Sequence, residues 1–405
     1  MTHTVIAGAG PAGAALAYLL ARRGLRVTLL ERQTDFAREF RGEVLMPSGV
    51  DAIHQMGLEA AFGALPKVSP RYRDAHIGGR FVRRFELPEI IEAGPQMVSQ
   101  PAMLEMLVEQ GRTHPGFRFM RGRVVSELIH ENGRVVGVRI RGEQNVLRAD
   151  LVVGADGRGS VVRRAAGLEV ERDAEAFDVV WFKVPMPAFL AASGPSVQVF
   201  LRAGQLCLAF PAVDDRLQVG WIIAKGSYGD LKRRGTDAWL TELASQVGPR
   251  LGEHLRRHRE AIEHPFVLDV VCYLLDRWYS PGALLLGDAA HPMSPVGGQG
   301  LNIALRDALV AANHLVPVLA AGADPAALDA AGAAIERERH PEVEEVERLQ
   351  RIPPRIFFRR SLWVTGLLTV VAWLGRSSFL MRRIRQPPAI ARAFLHGVRD
   401  VTLRV

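Results

Sequence analysis

The feature that most limits what this chain can become lies at its start. Residues 3–31 read HTVIAGAGPAGAALAYLLARRGLRVTLLE: an apolar strand, a glycine turn, an amphipathic helix and a second apolar strand. Gly8, Gly10 and Gly13 have the GxGxxG spacing between a strand and a helix, the context in which a weak pattern becomes specific. Gly8 allows the tight turn, Gly10 lets a pyrophosphate approach the backbone, and Gly13 lets helix and strand pack closely. Ala12 belongs to the same turn. Glu31 ends the second strand 18 residues beyond Gly13, where its carboxylate can accept from ribose hydroxyls, and Arg32 follows it. The unit predicts a doubly wound α/β sheet and a bound dinucleotide, with NAD and FAD both open at this point.

A second organising stretch runs from Leu284 to Asn302 and reads LLLGDAAHPMSPVGGQGLN. A strand ends at Gly287-Asp288, a loop with Pro292, Pro295, Gly297, Gly298 and Gly300 follows, and a helix opens at Leu301-Asn302. Bare backbone N–H groups and a helix N-terminus are thereby offered to something flat and electron-rich. An ordinary Gly/Pro turn is the competing reading of this segment alone. Between the two stretches, an apolar strand over Leu147–Val153 leads into GADGRGS, where Asp156-Gly157 makes another strand-to-turn junction. Ser160 is placed to cap the next helix. Its position after a long excursion suggests re-entry into the first sheet.

Other segments are plainer. Arg41, in REFRGEVLMPSG, can pair with a pyrophosphate as a bidentate donor or be a surface residue; Ser48 is expected to cap a helix over 49–56. Residues 75–87 form a hairpin turning at Gly78-Gly79, Gln100 to Arg112 an amphipathic helix, and Asn132-Gly133 a two-residue hairpin turn. From Phe177 to Leu275 the pattern becomes β-rich, and about a third of its aromatics, Trp181, Phe182, Phe200, Phe210, Trp221, Tyr228 and Tyr273, are expected to face a ligand. The expected division is therefore 1–72, 100–176 and 278–350 as three parts of a nucleotide domain, 73–99 and 177–277 as the substrate domain, and 351–405 as a helical tail.

Charge excludes one class of partner. The net charge is +8, yet residues 351–405 hold 11 Arg, no Lys and a single acid, Asp400, so the other 350 residues carry −2. A near-neutral body argues against nucleic acid. Cys207 and Cys272 are too few for a disulfide framework and fit a reducing cytoplasm, and His291 has no second ligand at metal spacing, which leaves no metal site and a structural histidine. In the tail, Ser361–Gly375 is 15 uncharged residues, too short to span a bilayer. It is expected to pack as a lid, the alternative being a helix with Trp363, Leu367 and Leu374 in the headgroup layer of a membrane surface.

The ordered triple of GAGPAG with Glu31, GADGRGS, and GDAAHPMSPVGGQGLN resembles the single-component FAD-dependent aromatic hydroxylases, the para-hydroxybenzoate hydroxylase type of class A flavoprotein monooxygenases. The resemblance covers residues 1 to about 320. It implies a Rossmann-like FAD-binding domain of the GR2 type, an inserted β-sheet substrate domain and a helical C-terminal region. It implies that Gly8, Gly10, Ala12, Gly13, Glu31 and Arg32 hold the ADP moiety, Arg41 and Gln100 the pyrophosphate and ribitol region, and Asp288 the ribitol. Asp156 and Gly157 match a motif tied to both FAD and the nicotinamide co-substrate, and Pro295, Gly297, Gly298, Gly300, Leu301 and Asn302 the loop under the isoalloxazine. The implied reaction uses NADPH or NADH and O2 to hydroxylate an aromatic or lipophilic small molecule through a flavin C4a-hydroperoxide. No substrate-side acid or base stands out; His54, Lys183, Lys225 and His264 are candidates. The competing functions are a lipid-chain reductase of the geranylgeranyl reductase type and a non-enzymatic binder on the same fold. Oligomeric state is not legible.

Overall fold

A computed structural model describes residues 2–37, 43–87, 94–168, 170, 173–174, 177–202, 204–262, 265–352, 354 and 389–405. In chain order the first elements are β1 (His3–Ala7), α1 (Pro11–Arg22), β2 (Arg26–Glu31), β3 (Val44–Leu45), α2 (Pro47–Gln55), α3 (Glu59–Gly63), β4 (Lys67–Val68), β5 (Tyr72–Ile77), β6 (Arg80–Glu86) and β7 (Gln96–Val98). Next come α4 (Gln100–Arg112), β8 (Phe117–Arg121), β9 (Val125–Glu131), β10 (Arg134–Ile140), β11 (Val146–Arg148), β12 (Leu151–Gly154), α5 (Val161–Ala165), β13 (Asp173–Ala174), β14 (Phe177–Pro185), α6 (Ala188–Ala191), β15 (Ser196–Arg202), β16 (Gln205–Pro211) and β17 (Arg216–Ala224). The rest are α7 (Tyr228–Arg234), α8 (Thr236–Val247), α9 (Pro249–Arg257), β18 (Phe266–Leu268), β19 (Val271–Cys272), β20 (Tyr279–Ser280), β21 (Ala283–Leu285), α10 (Gln299–Ala320), α11 (Pro325–Gln350) and α12 (Ala389–His396).

The βαβ start builds the central sheet, ordered β20-β21-β12-β1-β2-β8, in which β21, β12, β1, β2 and β8 run parallel. Its strands are continuous apolar runs because both faces are covered. One face packs on α1, α4 and α10, with Leu16, Leu20, Leu305, Leu309 and Ala312 fully buried. The other is closed by the β9–β11 sheet and by Trp278, Ile303, Val343 and Val346. Both cysteines are buried.

The second sheet has seven strands, ordered β18-β14-β17-β16-β15-β5-β6. Strand alternation gives it two faces. Val180, Phe182, Phe200, Cys207, Val219 and Trp221 pack under α8 and α9, on Trp239, Leu243, Leu251 and Leu255. The opposite face carries Val179, Trp181, Phe210 and Ile222, which meet Met97, Val44, Val68 and Val296.

The expected hairpins form at Gly78-Gly79 and at Asn132-Gly133, all four residues having positive φ, and α4 has the expected bounds. Two local expectations fail. Ser48 does not cap α2, because Pro47 takes its first position and the helix starts two residues earlier, with Met46 at the cap. Leu147–Val153 is not one strand: β11 pairs antiparallel with β10, and β12 joins β1 after a break held by Asp150, whose carboxylate accepts from His3 N at 2.7 Å. The 351–405 region is only partly in view. Its apolar run lies outside the described residues, whereas residues 389–405 fold back on the body, burying Leu395 and Val401. One described helix, Val296–Ala320, is long and apolar enough to cross a membrane, and 72% of its apolar window is buried inside this fold.

Candidate active site

Because the strands run parallel, the turns after β1, β2, β12 and β21 all lie at one edge of the sheet. Gly8 has φ 101° and donates its N–H to Leu30 O at 2.8 Å. A Cβ on Gly13 would run into the Gly8 carbonyl oxygen, so α1 lies against the turn only because that residue is glycine. Gly10 is different: a Cβ there would find only Ala155 O, at 3.9 Å, so its open side faces free space. Helix α1 has Pro11 at its start, no side-chain cap and no acid in its first turn. Its N–H groups are thus free for an anion, which its dipole favours. Glu31 is 3% exposed, and its carboxylate accepts from Ala9 N and Gln33 N, both at 3.0 Å. Ala12 is buried, Arg32 is exposed and Arg41 lies outside the described residues.

At the next turn, Asp156 Oδ2 accepts from Val161 N at 2.7 Å and Val162 N at 3.3 Å, while its Oδ1 is buried without a partner. Gly157 has φ 81°, and Ser160 caps α5 as expected, accepting from Arg163 N at 2.9 Å. Arg158 then reaches across to Asp288, Nε to Oδ2 3.3 Å, with both side chains about one third exposed. Gln100 is buried in the first turn of α4.

The loop before α10 is held from several directions. Gly297 and Gly298 have φ 74° and 63°. A Cβ on Gly297 would meet the Phe394 ring at 2.8 Å, and one on Gly298 would touch Val44 and Met46 at 3.7 Å, so the loop is pinched between α12 and β3. Gln299 Nε2 donates to Gly297 O and Phe394 O, both at 2.7 Å. Gln350, at the end of α11, donates to Ser294 O at 2.9 Å and Val296 O at 2.8 Å. Asn302 Oδ1 accepts from Met46 N at 2.8 Å, tying α10 to the entry of α2. Leu301 is buried, and Gly300 leaves room beside Met293. Pro295 precedes the pinch, and α10 begins without an acid in its first turn.

Beneath this loop lies a buried ion network that sequence reading did not anticipate. Asp307 accepts from Gly287 N at 3.1 Å, His291 Nε2 at 2.7 Å and Arg339 Nε at 2.8 Å. Arg339 also pairs with Glu342, which binds Arg306 at 2.7 Å; Arg306 in turn donates to Arg399 O. Burial opposes charge on Asp307, but His291 and Arg339 outweigh it and hold the carboxyl at about 2. The same Asp307 overcomes burial at His291 and raises its pKa. His291 is therefore a structural histidine, bonded to a carboxylate and packed on Trp278 with ring centroids 4.8 Å apart.

The sheet face opposite the loop sorts the aromatics. Trp181 and Phe210 face it, and Phe182, Phe200 and Trp221 lie under the helices. Tyr273 stacks on Arg163 near the Asp156 turn. Among the base candidates, His54 is exposed on α2, Lys225 is held by Asp178 at 2.9 Å and Asp269 at 2.5 Å, and His264 lies outside the described residues. Lys183 stands between Asp214 at 3.2 Å and Glu43 at 3.6 Å, next to β3. Burial raises the Glu43 pKa against the pull of Lys183.

A family model described as "FAD binding domain" matches residues 1–350. The chain is 34% identical over 426 aligned positions to 6-methylpretetramide 4-monooxygenase of Streptomyces rimosus, covering 100% of this chain and 94% of that protein. It is 28% identical to kynurenine 3-monooxygenase of Stenotrophomonas maltophilia, over 85% of this chain and 77% of the relative. In structure it is similar to PqsL of Pseudomonas aeruginosa, solved with 2-aminobenzoylacetate, at TM-score 0.76 and 22% identity over 91% of this chain and all of that one. It is also similar to 2-methyl-3-hydroxypyridine-5-carboxylic acid oxygenase, at TM-score 0.71 and 19% identity over 100% and 99%. Sheet order, glycine turns, a family match over most of the chain and a relative alike along its whole length agree, and the chain belongs to the FAD-dependent monooxygenases of the aromatic-hydroxylase type.

Proposed function

We propose that the chain uses NAD(P)H and O2 to hydroxylate a flat aromatic small molecule held between the loop over 292–302 and the Trp181 face of the second sheet. The observation that carries this reading is the convergence of three glycine turns and two acid-free helix N-termini at one sheet edge, opposite an apolar sheet face. The residues fit FAD: Gly10 has an open side where a pyrophosphate would lie, α1 presents free N–H groups, and Asp156 keeps a buried oxygen without a partner. Bound there, FAD supplies the redox chemistry that accepts hydride and activates O2.

The protein's part is binding, orientation and exclusion of water. Glu31, fixed by two backbone N–H groups at the end of β2, takes the adenosine ribose. Asp288 does the same for the ribitol, and Arg158 keeps it aimed until the ligand arrives. The N-terminus of α10 favours negative charge on the pyrimidine edge of the ring system. Trp181, Phe210, Ile222, Met97 and Val296 keep the space between loop and sheet dry, which strengthens every polar contact made there. With one GxGxxG turn in the sequence, the nicotinamide co-substrate docks transiently, near Asp156-Gly157.

The test is to purify the protein, record its flavin spectrum, and screen phenols, quinolones and polyketide-like aromatics for substrate-stimulated NAD(P)H oxidation with O2 uptake matched to hydroxylated product. Turnover that proceeds equally without O2 would sink the hydroxylase reading in favour of a reductase.

A further inference from the structure

A single row of directly opposed residues crosses the cleft face of the second sheet. Lys183 pairs with Gln218, Gln218 with Phe210, Val197 with Arg73, and Arg73 with Phe85. Gln198 opposes Ala209, which brings Val197 beside Phe210 and joins the two halves of the row. Opposed residues on neighbouring strands point to the same side, so the row shares the face that meets Val44 and Val296.

Its two ends differ in chemistry. At the inner end Gln218 is 0% exposed, and neither atom of its amide has a partner. Glu43 Oε2 is also buried and unpartnered, beside Lys183. An amide buried without partners lowers stability, so its retention points to a ligand that completes it. At the outer end the guanidiniums of Arg73 and Arg83 flank the Phe85 ring at 5.1 and 5.0 Å. Neither meets a carboxylate among the described residues, and Arg83 Nη1 is buried without a hydrogen bond. Solvent reaches Arg73, yet the surrounding protein desolvates it enough to lower its pKa, as on the wall of a cleft. Between the ends Val197 is half-buried and apolar, as are Val199 and Leu208, opposed to each other two residues along their strands from the row. From β17 to β5 is three interstrand gaps, about 14 Å.

We propose that this row is the substrate seat and selects an elongated, flat, multi-ring phenol that carries an acidic group at the end away from its hydroxyl. The hydroxyl meets Gln218 and Glu43, the rings lie on Val197, Val199 and Leu208, and the acid lies between Arg73 and Arg83. Phe210, edge-on to Trp181 at 5.9 Å, stands next to Gln218, and in this proposal the ligand turns that ring aside to reach the amide. A single-ring acid is too short to reach both ends. The proposal rests on the monooxygenase reading above and names the substrate class of that site.

The experiment measures equilibrium binding, without NAD(P)H, of a hydroxyanthracene carboxylic acid with its two groups at opposite ends, the corresponding neutral carboxamide, and para-hydroxybenzoate. Wild-type protein is expected to bind the long acid about tenfold more tightly than either other probe. The Arg73→Gln/Arg83→Gln double variant should erase the difference between acid and carboxamide. Gln218→Leu should weaken both long probes by about tenfold and raise the melting temperature of the ligand-free protein. The proposal is overturned if wild type binds none of the probes or binds acid and carboxamide alike. It is equally overturned if Gln218→Leu lowers the melting temperature and leaves affinity intact. Protein that carries no flavin would defeat the monooxygenase reading instead, and the charge-selective binding would still be measured on that flavin-free protein.

Discussion

Replacing Asp307 with Asn tests the buried network under the active-site loop. Asp307 is fully buried and accepts from Gly287 N, His291 and Arg339. The fall in its pKa from 3.8 to about 2 is worth about 2 kcal/mol of folding free energy. Asn can still accept a hydrogen bond but leaves Arg339 and Arg306 facing only Glu342, and breaking a buried pair costs about 3 kcal/mol or more. At about 2.1 cal/mol/K of unfolding entropy per residue over 405 residues, 3 kcal/mol lowers Tm by about 4 °C. The pH dependence carries the sharper sign. The Asp307 contribution is complete above its unfolded pKa of 3.8 and is lost as pH falls through about 2. His291 has a raised pKa, so its contribution is complete below 6.5 and fades as pH rises through the folded value. The gap between wild type and Asp307→Asn should therefore be widest between pH 3.8 and 6.5 and narrow above neutrality. Urea unfolding followed by tryptophan fluorescence reads it, since Trp278 packs on His291. A gap under about 1 kcal/mol, or one constant from acid to alkaline pH, would refute the view that charge rather than shape holds this network.

Three further outcomes are expected. Gly10→Val should fold but lose flavin, because a Cβ there meets no atom closer than 3.9 Å beyond its chain neighbours, whereas Gly13→Val should fail to fold; normal visible absorbance in soluble Gly10→Val protein would remove the pyrophosphate from that turn. Asp156→Ala should cost about 1 kcal/mol through lost acceptance from Val161 N and Val162 N, and should slow reduction by NAD(P)H; stopped-flow reduction at the wild-type rate with normal flavin content ends that role. A chain ending at residue 388 loses buried Leu395 and Val401 and the bond from Gln299 to Phe394, so it should be destabilised by several kcal/mol, read as a lowered urea midpoint.

What the sequence determined by itself is local. The GxGxxG turn, the hairpins at Gly78-Gly79 and Asn132-Gly133, the Ser160 cap and the bounds of α4 depend on residues a few positions apart, and the structure keeps each. Backbone sterics and short-range hydrogen bonding write those signals into neighbouring residue types. Even there Pro47 displaced Ser48, because a ring that fixes φ suits the first helical position better than a hydroxyl suits the second. The tertiary structure alone decided which distant groups meet. Arg158 finds Asp288, Gln350 latches Ser294 and Val296, Arg339 finds Asp307, and Gln218 comes to stand beside Lys183 with no partner of its own. No spacing marks such pairs, since each is fixed by sheet order, register and helix packing summed over the whole fold. A buried amide or carboxylate reads in the sequence like any surface Gln or Asp until the fold removes its water.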